Sequence, residues 1–193
     1  GRAGHSSDPA LGNSALEGMH AVIGTLLAWR DELQLRHRDP AFSVPVPTLN
    51  LGHIHGGDNP NRICGECELT LDFRPLPGMA IPELRAELRA RVQAVADTRG
   101  LAVEFDAIFE GLPPLATAAD AHIVRLAEQL SGAVAGAAAF GTEGPYYDAL
   151  GSETVILGPG DIAQAHQPDE FLALDRLTPT VKVLRGAIDR LCR

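Results

Sequence analysis

The chain has 193 residues, of which 45% are hydrophobic and 21% charged, which is the balance of a globular protein and excludes extended disorder. Its 25 acidic side chains outnumber 16 basic ones, and a net charge of −9 without any basic stripe excludes nucleic acid as a natural partner. The longest uncharged apolar-rich run, residues 132–141, is far shorter than the roughly 20 residues of a membrane helix, so no membrane partner is expected. Three cysteines are too few for a disulfide scaffold and favour a cytoplasmic location.

The first half of the chain has the pattern of helix, strand, strand, helix, strand. Apolar residues spaced by three and four predict a helix over residues 12–37, and alternation predicts strands over 48–54 and 63–73. A second amphipathic helix is predicted over 81–98, and a strand over 101–108. This order is that of a ferredoxin-like βαββαβ layer without its first strand.

After the glycine and proline break at residues 111–114, helices alternate with shorter elements. Helices are predicted over 120–130 and 175–192, with a short helix near Tyr146, a strand over 153–157 and an Ala-rich element that ends at Phe140. We therefore predict an α/β fold of two units, with the boundary near Gly111. The second unit has too few strands to bury both faces of a parallel sheet and is expected to be the less stable one.

Residues 157–171 contain the strongest candidate site. Gly158, Pro159 and Gly160 end the predicted strand, so His166 is expected on a loop beyond the carboxyl end of a strand, where α/β sheets place their chemistry. An imidazole flanked by amides and carboxylates is a candidate zinc ligand. The alternative is a surface histidine in a polar loop.

Two other pairs of residues have ligand chemistry but lack the context of a site. Cys64 and Cys67 have CxxC spacing, yet no second pair exists for a structural zinc, and the motif enters a strand, whereas a redox CxxC opens a helix. His53 and His55 are expected on one strand face without a third ligand nearby, which favours a packing role.

Four motifs, read together, resemble the dizinc aminoacylase/carboxypeptidase-type peptidase family: GRAGHSSDPALG, PTLNLGHIHGGDNPNRICGECELTLDFRPLPGM, GTEGPYY and VILGPGDIAQAHQPDE. The resemblance covers nearly the whole chain and corresponds to about the C-terminal half of such an enzyme. It implies that residues 1–111 are a lid domain that forms a homodimer, and that residues 112–193 are the C-terminal segment of an α/β zinc-peptidase catalytic domain. The implied parent reaction is hydrolysis of N2-acetylornithine to ornithine and acetate, in arginine biosynthesis.

The resemblance assigns the main catalytic roles to two histidines. His166 corresponds to a zinc ligand of the catalytic domain. His5 corresponds to the lid histidine that reaches into the partner's site and donates a hydrogen bond to the developing oxyanion. Taken without the resemblance, His5 also fits a histidine in a Ser-rich turn.

Four further residues resemble the substrate-binding residues of the family. Asn61 and Arg74 correspond to lid residues that bind the substrate, with Arg74 forking onto a substrate carboxylate, although a strand-end arginine also fits a solvated charge. Thr142 and Glu143 resemble a turn that contacts the substrate, with Glu143 facing an ammonium group. The family has an alanine where this chain has Gly144.

The same resemblance implies two zinc ions, which cobalt can replace, and a glutamate general base. The other zinc ligands and this base belong to the family's N-terminal half, before Gly1, and a single ligand cannot close a zinc site. This chain alone is therefore expected to be an inactive part of an enzyme. Two alternatives stay open: a non-catalytic dimerisation or binding module, and a deacylase of another N-acyl amino acid such as N-succinyl-diaminopimelate.

Overall fold

Two long helices and a pair of long antiparallel strands make up most of the first unit. The computed structural model describes residues 1–192, and the chain divides into the units Gly1–Pro114 and Leu115–Arg193. The elements of the first unit are β1 (Gly4–His5), α1 (Ala15–Arg36), β2 (Thr48–Gly56), β3 (Arg62–Ile63), β4 (Cys67–Arg74) and α2 (Ile81–Thr98), with a 3-10 turn at Pro9–Leu11. The helices predicted over 12–37 and 81–98 are confirmed.

Helix α1 carries the largest buried side chains of the first unit. Ser14 caps its start, because the Ser14 hydroxyl oxygen accepts a hydrogen bond from the Glu17 backbone N–H at 3.2 Å. Leu26, Trp29 and Leu33 share one face and are at most 2% exposed. The Trp29 ring stacks on a β4 side chain, Phe73, with 5.5 Å between ring centroids, so α1 is held on the inner face of the sheet.

The β2–β4 ladder contains a bulge that reverses the facing of β2 halfway along. Leu51 pairs with Leu71 and His53 pairs with Thr70, so Gly52 is the extra residue. Leu51 packs against the core, whereas His53 is exposed. A regular strand would have placed both side chains on the same face. The bulge therefore puts the histidines of this strand on its outer face.

The strand predicted over residues 101–108 is wrong. Val103 and Phe105 do pack against the core, as the alternating pattern indicated, and the Arg89 guanidinium lies 5.6 Å from the centre of the Phe105 ring. The segment nevertheless has no ladder, because β4 pairs only with β2 among residues 1–192. Alternating apolar residues indicate which side chains of a segment are buried. A β-strand also needs a neighbouring strand with which its backbone can form hydrogen bonds.

The second unit is helical, with α3 (His122–Ser131), α4 (Gly144–Ala149) and α5 (Leu177–Leu191) and with 3-10 turns at Ile162–Gln164 and Leu174–Arg176. The strand predicted over 153–157 and the Ala-rich element that ends at Phe140 are both wrong. The Thr154 carbonyl accepts a hydrogen bond from the Thr117 hydroxyl, and the Glu153 carboxylate accepts one from the Ile123 N–H at 3.1 Å. Both bonds involve side chains, and among residues 1–192 this segment belongs to neither of the two sheets. In the part of the chain that the structure describes, no helix has the length and apolarity to span a membrane.

Candidate functional site

A surface cavity of about 510 Å³ brings together His5 and Asn61, two residues that the sequence assigned to the site. His5 lies on β1, opposite Arg62 of β3 in an antiparallel pair. The backbone N–H of Ser6 donates to the carbonyl oxygen of Asn61 at 2.9 Å. These backbone bonds hold the histidine beside the loop that carries the asparagine.

The hydrogen bonds of His5 determine which ring nitrogen can donate. The Ser7 backbone N–H donates to His5 Nδ1 at 3.2 Å, and the Ser7 hydroxyl oxygen lies 2.7 Å from the same nitrogen. An amide N–H can only donate, so Nδ1 is the acceptor and Nε2 carries the proton of the neutral ring. The ring of His5 therefore presents one N–H donor, Nε2–H, because Ser7, two residues later in the chain, occupies Nδ1.

The loop between β2 and β3, together with the first residue of β3, supplies two charged residues that sequence reasoning missed. Gly57 has a φ of +78°, a backbone conformation that glycine adopts without strain, and it starts the turn. The Asn59 side-chain oxygen accepts from the Asn61 N–H at 3.1 Å. The turn brings Asp58 Oδ2 to 2.5 Å from Arg62 Nη1, and both residues line the cavity with His5. The only sequence signal was their spacing of four residues.

Arg74 lies at the end of β4, and its guanidinium is paired with an aspartate two residues earlier. The distance from Arg74 Nε to Asp72 Oδ2 is 2.8 Å, and the arginine side chain is 64% exposed. It is not among the residues that line the His5 cavity. Its assignment to substrate binding stays a prediction.

Thr142 and Glu143 precede α4 in the second unit. The Thr142 hydroxyl oxygen accepts from the Gly144 N–H at 3.1 Å, and the Glu143 side chain is exposed. A Cβ at position 144 would lie 2.9 Å from Leu115 Cδ2, so glycine at this position permits a close approach. Substrate contact by this turn stays a prediction.

His166 follows a 3-10 turn and is exposed. Its φ of +63° is unusual for a residue other than glycine, and its backbone N–H donates to Glu170 Oε2 at 3.3 Å. Nowhere in residues 1–192 do three or more histidine, cysteine or acidic side chains group as a metal site. The described residues alone therefore do not fit a zinc ion, and the role of His166 as a ligand stays a prediction.

The two motifs set aside in the sequence have ordinary structural surroundings. Cys64 is buried and its Sγ donates to the Glu66 carbonyl at 2.9 Å. Burial, and next the proximity of Cys64, raise the pKa of the Cys67 thiol, which disfavours the reactive thiolate. The rings of His53 and His55 stack with 6.5 Å between centroids.

Comparison with known sequences places most of this first unit in one family. Residues 1–99 match the peptidase dimerisation domain family. The acetylornithine deacetylase of Edwardsiella ictaluri (strain 93-146) is 45% identical over 193 residues, which are 100% of this chain and 50% of that protein. The acetylornithine deacetylase of Vibrio vulnificus (strain CMCP6) is 44% identical over 192 residues, again 100% of this chain and 50% of the relative. The chain thus spans about half the length of the curated relatives it matches.

Solved structures support the fold. The aminopeptidase PepT from Bacillus cereus ATCC 10987 matches with a TM-score of 0.73 at 18% identity, over 100% of this chain and 49% of that one. A tripeptidase from Staphylococcus aureus subsp. aureus Mu50 matches with a TM-score of 0.68 at 17% identity, over 98% of this chain and 48% of its own. Together with the family match, these likenesses confirm the predicted mixed α/β fold class.

Proposed function

Since the chain belongs to the peptidase dimerisation domain family, we propose that it is the lid and the C-terminal catalytic segment of a zinc-dependent amidohydrolase. The proposed reaction is hydrolysis of N2-acetylornithine to ornithine and acetate. The observation that carries the proposal is 45% identity to an acetylornithine deacetylase over the whole of this chain. The alternative acyl substrate, N-succinyl-diaminopimelate, is distinguished by a substrate panel on the complete enzyme.

The His5 cavity supplies the chemistry that this chain itself can contribute. Amide hydrolysis concentrates negative charge on the carbonyl oxygen, and a positioned donor there contributes about 3 kcal/mol to the transition state. The Nε2–H of His5 is such a donor, since Ser7 occupies Nδ1. Asn61 lines the same cavity and would bind the substrate beside this donor. Arg74, Thr142 and Glu143 are proposed to bind the substrate's charged and polar groups.

His166 is proposed to contribute one zinc ligand. A zinc ion supplies Lewis-acid polarisation of the scissile carbonyl, and cobalt can replace it. Because the described residues hold no further grouped ligands, the remaining ligands and the general base are proposed to come from the part of the enzyme outside these 193 residues.

We also propose a homodimer formed through the first unit. Within the described residues β2 pairs only with β4, so its other edge is open to a strand of a second copy.

The second candidate function, a non-catalytic dimerisation module, is favoured by the family description of residues 1–99. We also propose a cytoplasmic location, which agrees with the three cysteines being free thiols.

The test combines this chain with the half of the Edwardsiella ictaluri enzyme that it does not match. We expect zinc-dependent deacetylation of N2-acetylornithine and a dimer by sedimentation. His166→Ala should lower the zinc content, whereas His5→Ala should retain zinc and lower kcat about a hundredfold, the typical cost of a lost oxyanion donor. His20→Ala, on the exposed side of α1, is the control and should change neither quantity.

The two candidate functions give different outcomes in this experiment. Turnover with stoichiometric zinc excludes the non-catalytic module. A tight dimer that binds no zinc and has no turnover supports the module instead. If His166→Ala leaves the zinc content unchanged, the ligand assignment is wrong.

A further inference from the structure

The cavity at His5 is lined by an ion pair whose two members retain unused hydrogen-bonding groups. Asp58 Oδ2 lies 2.5 Å from Arg62 Nη1, and the side chains are 61% and 57% exposed. Within residues 1–192 the structure gives this pair no other side-chain hydrogen bond, so Asp58 Oδ1 and most of the Arg62 N–H groups stay available. An exposed ion pair of this kind contributes less than about 1 kcal/mol to the free energy of folding. Stabilisation of the fold therefore explains the presence of these two charges only weakly.

The shape of the loop places these charges where a substrate would meet them. Arg62 is opposite His5 in the β1–β3 pair, and the backbone N–H of Arg62 donates to the backbone carbonyl oxygen of Asn59 at 3.0 Å. His5, Asp58, Asn61 and Arg62 line one cavity. The cavity is thus lined by one cation, one anion, two side-chain amides and one imidazole donor.

An N-acyl amino acid with a cationic side chain carries the complementary groups. It has a carboxylate, an ammonium and the acyl carbonyl that is to be attacked. A guanidinium fits a carboxylate as a bidentate donor, and a carboxylate oxygen accepts from an ammonium. The acyl carbonyl oxygen would then accept from His5, the donor proposed above for the developing oxyanion.

From this complementarity we infer that the Asp58–Arg62 pair determines substrate specificity, with Arg62 binding the substrate carboxylate and Asp58 binding the side-chain ammonium. The inference rests on the proposed deacylase function and deepens it. It gives the ammonium group to Asp58, where the resemblance gives it to Glu143, and the carboxylate to Arg62, where the resemblance gives it to Arg74.

The test uses the complete enzyme assembled as above and two substrates, N-acetylornithine and N-acetylnorvaline, which differ by the ammonium group. Asp58→Asn should lower kcat/KM for N-acetylornithine about tenfold, the value of one charge-assisted hydrogen bond, and leave N-acetylnorvaline unchanged. Arg62→Gln should lower kcat/KM for both substrates, because both carry the carboxylate. Asp31→Asn removes one member of an exposed ion pair on α1 and is the matched control, with no effect on either substrate.

Three results would overturn the inference. Equal losses of kcat/KM on both substrates in Asp58→Asn would mean that Asp58 only shapes the loop. Full activity of this variant on N-acetylnorvaline would show that it is folded. A selective loss in Glu143→Gln with none in Asp58→Asn would assign the ammonium to Glu143. Failure of the unmodified enzyme to hydrolyse either substrate would refute the proposed function itself, and the inference with it.

Discussion

At Gly56, β2 runs so close to β4 that no side chain has room. A Cβ there would lie 2.7 Å from Cys67 Sγ and 3.0 Å from Cys67 Cα. Gly24, in contrast, lies on the exposed face of α1 with nothing within 4 Å of such a Cβ. Packing therefore requires a glycine at position 56, whereas the surroundings of position 24 leave room for a larger residue.

We predict opposite effects of the same substitution at these positions. Gly56→Ala should lower the free energy of unfolding by about 1–3 kcal/mol, because the new methyl group forces the strands apart. Gly24→Ala should raise it by about 0.5–1 kcal/mol, since alanine favours a helix more than glycine does. Urea unfolding followed by Trp29 fluorescence measures both, because this single tryptophan is buried in the first unit. A loss of stability in both variants would contradict the reasoning.

The composition of the site could be predicted from the sequence only in part. His5 and Asn61, which lie far apart in the chain, do line one cavity. Asp58 and Arg62 were missed because their closeness depends on a turn set by the Asn59 side chain and by Gly57, and such a turn has no periodicity. Motifs identify residue types, whereas loop geometry determines which of them meet.

Helices α1 and α2 are joined by a group of ion pairs at the surface. Arg91 Nη2 lies 2.6 Å from Glu32 Oε2 and 2.9 Å from Glu87 Oε1. Burial alone would raise the pKa of Glu87, but the hydrogen bond from Arg91, the nearby indole N–H of Trp29 and the charges of Arg91 and Arg36 outweigh it, so its pKa is lowered. The buried Trp29 Nε1–H has no partner of good geometry among the described residues, yet it lies close enough to favour the charged carboxylate.

The lowered pKa of Glu87 makes the stability of the first unit depend on pH. Because the carboxylate is favoured in the folded state, its contribution is present above the ordinary glutamate pKa of about 4.3 and is lost as the pH falls through the lowered value. Glu87→Gln should therefore lower the free energy of unfolding at pH 7 by up to about 1 kcal/mol, and the difference should shrink as the pH falls through the lowered pKa and vanish below it. Urea unfolding at several pH values tests this, with Glu104→Gln, an exposed residue outside the helices, as the control. A difference that persists at the lowest pH would show that Glu87 acts through packing and not through its charge.

Helices were predictable from the sequence and isolated strands were not. The apolar spacing and the Ser14 cap lie within α1 and its flank, so the information is local. The segments at 101–108 and 153–157 have strand composition, but a strand exists only with a partner that the local sequence does not specify. The bulge at Gly52 could likewise not be predicted from the sequence, because it depends on the register between β2 and β4.

The two units differ in how much apolar surface they bury. The first has Leu26, Trp29 and Leu33 at most 2% exposed, whereas no residue of α5 is buried. The side chains of α5 at Leu177, Val181, Leu184, Ile188 and Leu191 are 42–59% exposed and recur every three or four residues. Such a stripe contributes little to stability while it faces water.

We predict that the second unit opens first in this chain. Amides of α3 and α5 should exchange with solvent at least about a hundredfold faster than those of α1 and β2, because local opening is easier where few apolar contacts are lost. Hydrogen exchange followed by mass spectrometry resolves the two units. In the complete enzyme proposed above, the α5 amides should become protected, since additional residues would cover the stripe, while α1 should change little. Equally slow exchange throughout residues 120–192 of the chain alone would contradict this prediction, and unchanged α5 exchange in the assembled enzyme would show that the stripe stays uncovered there.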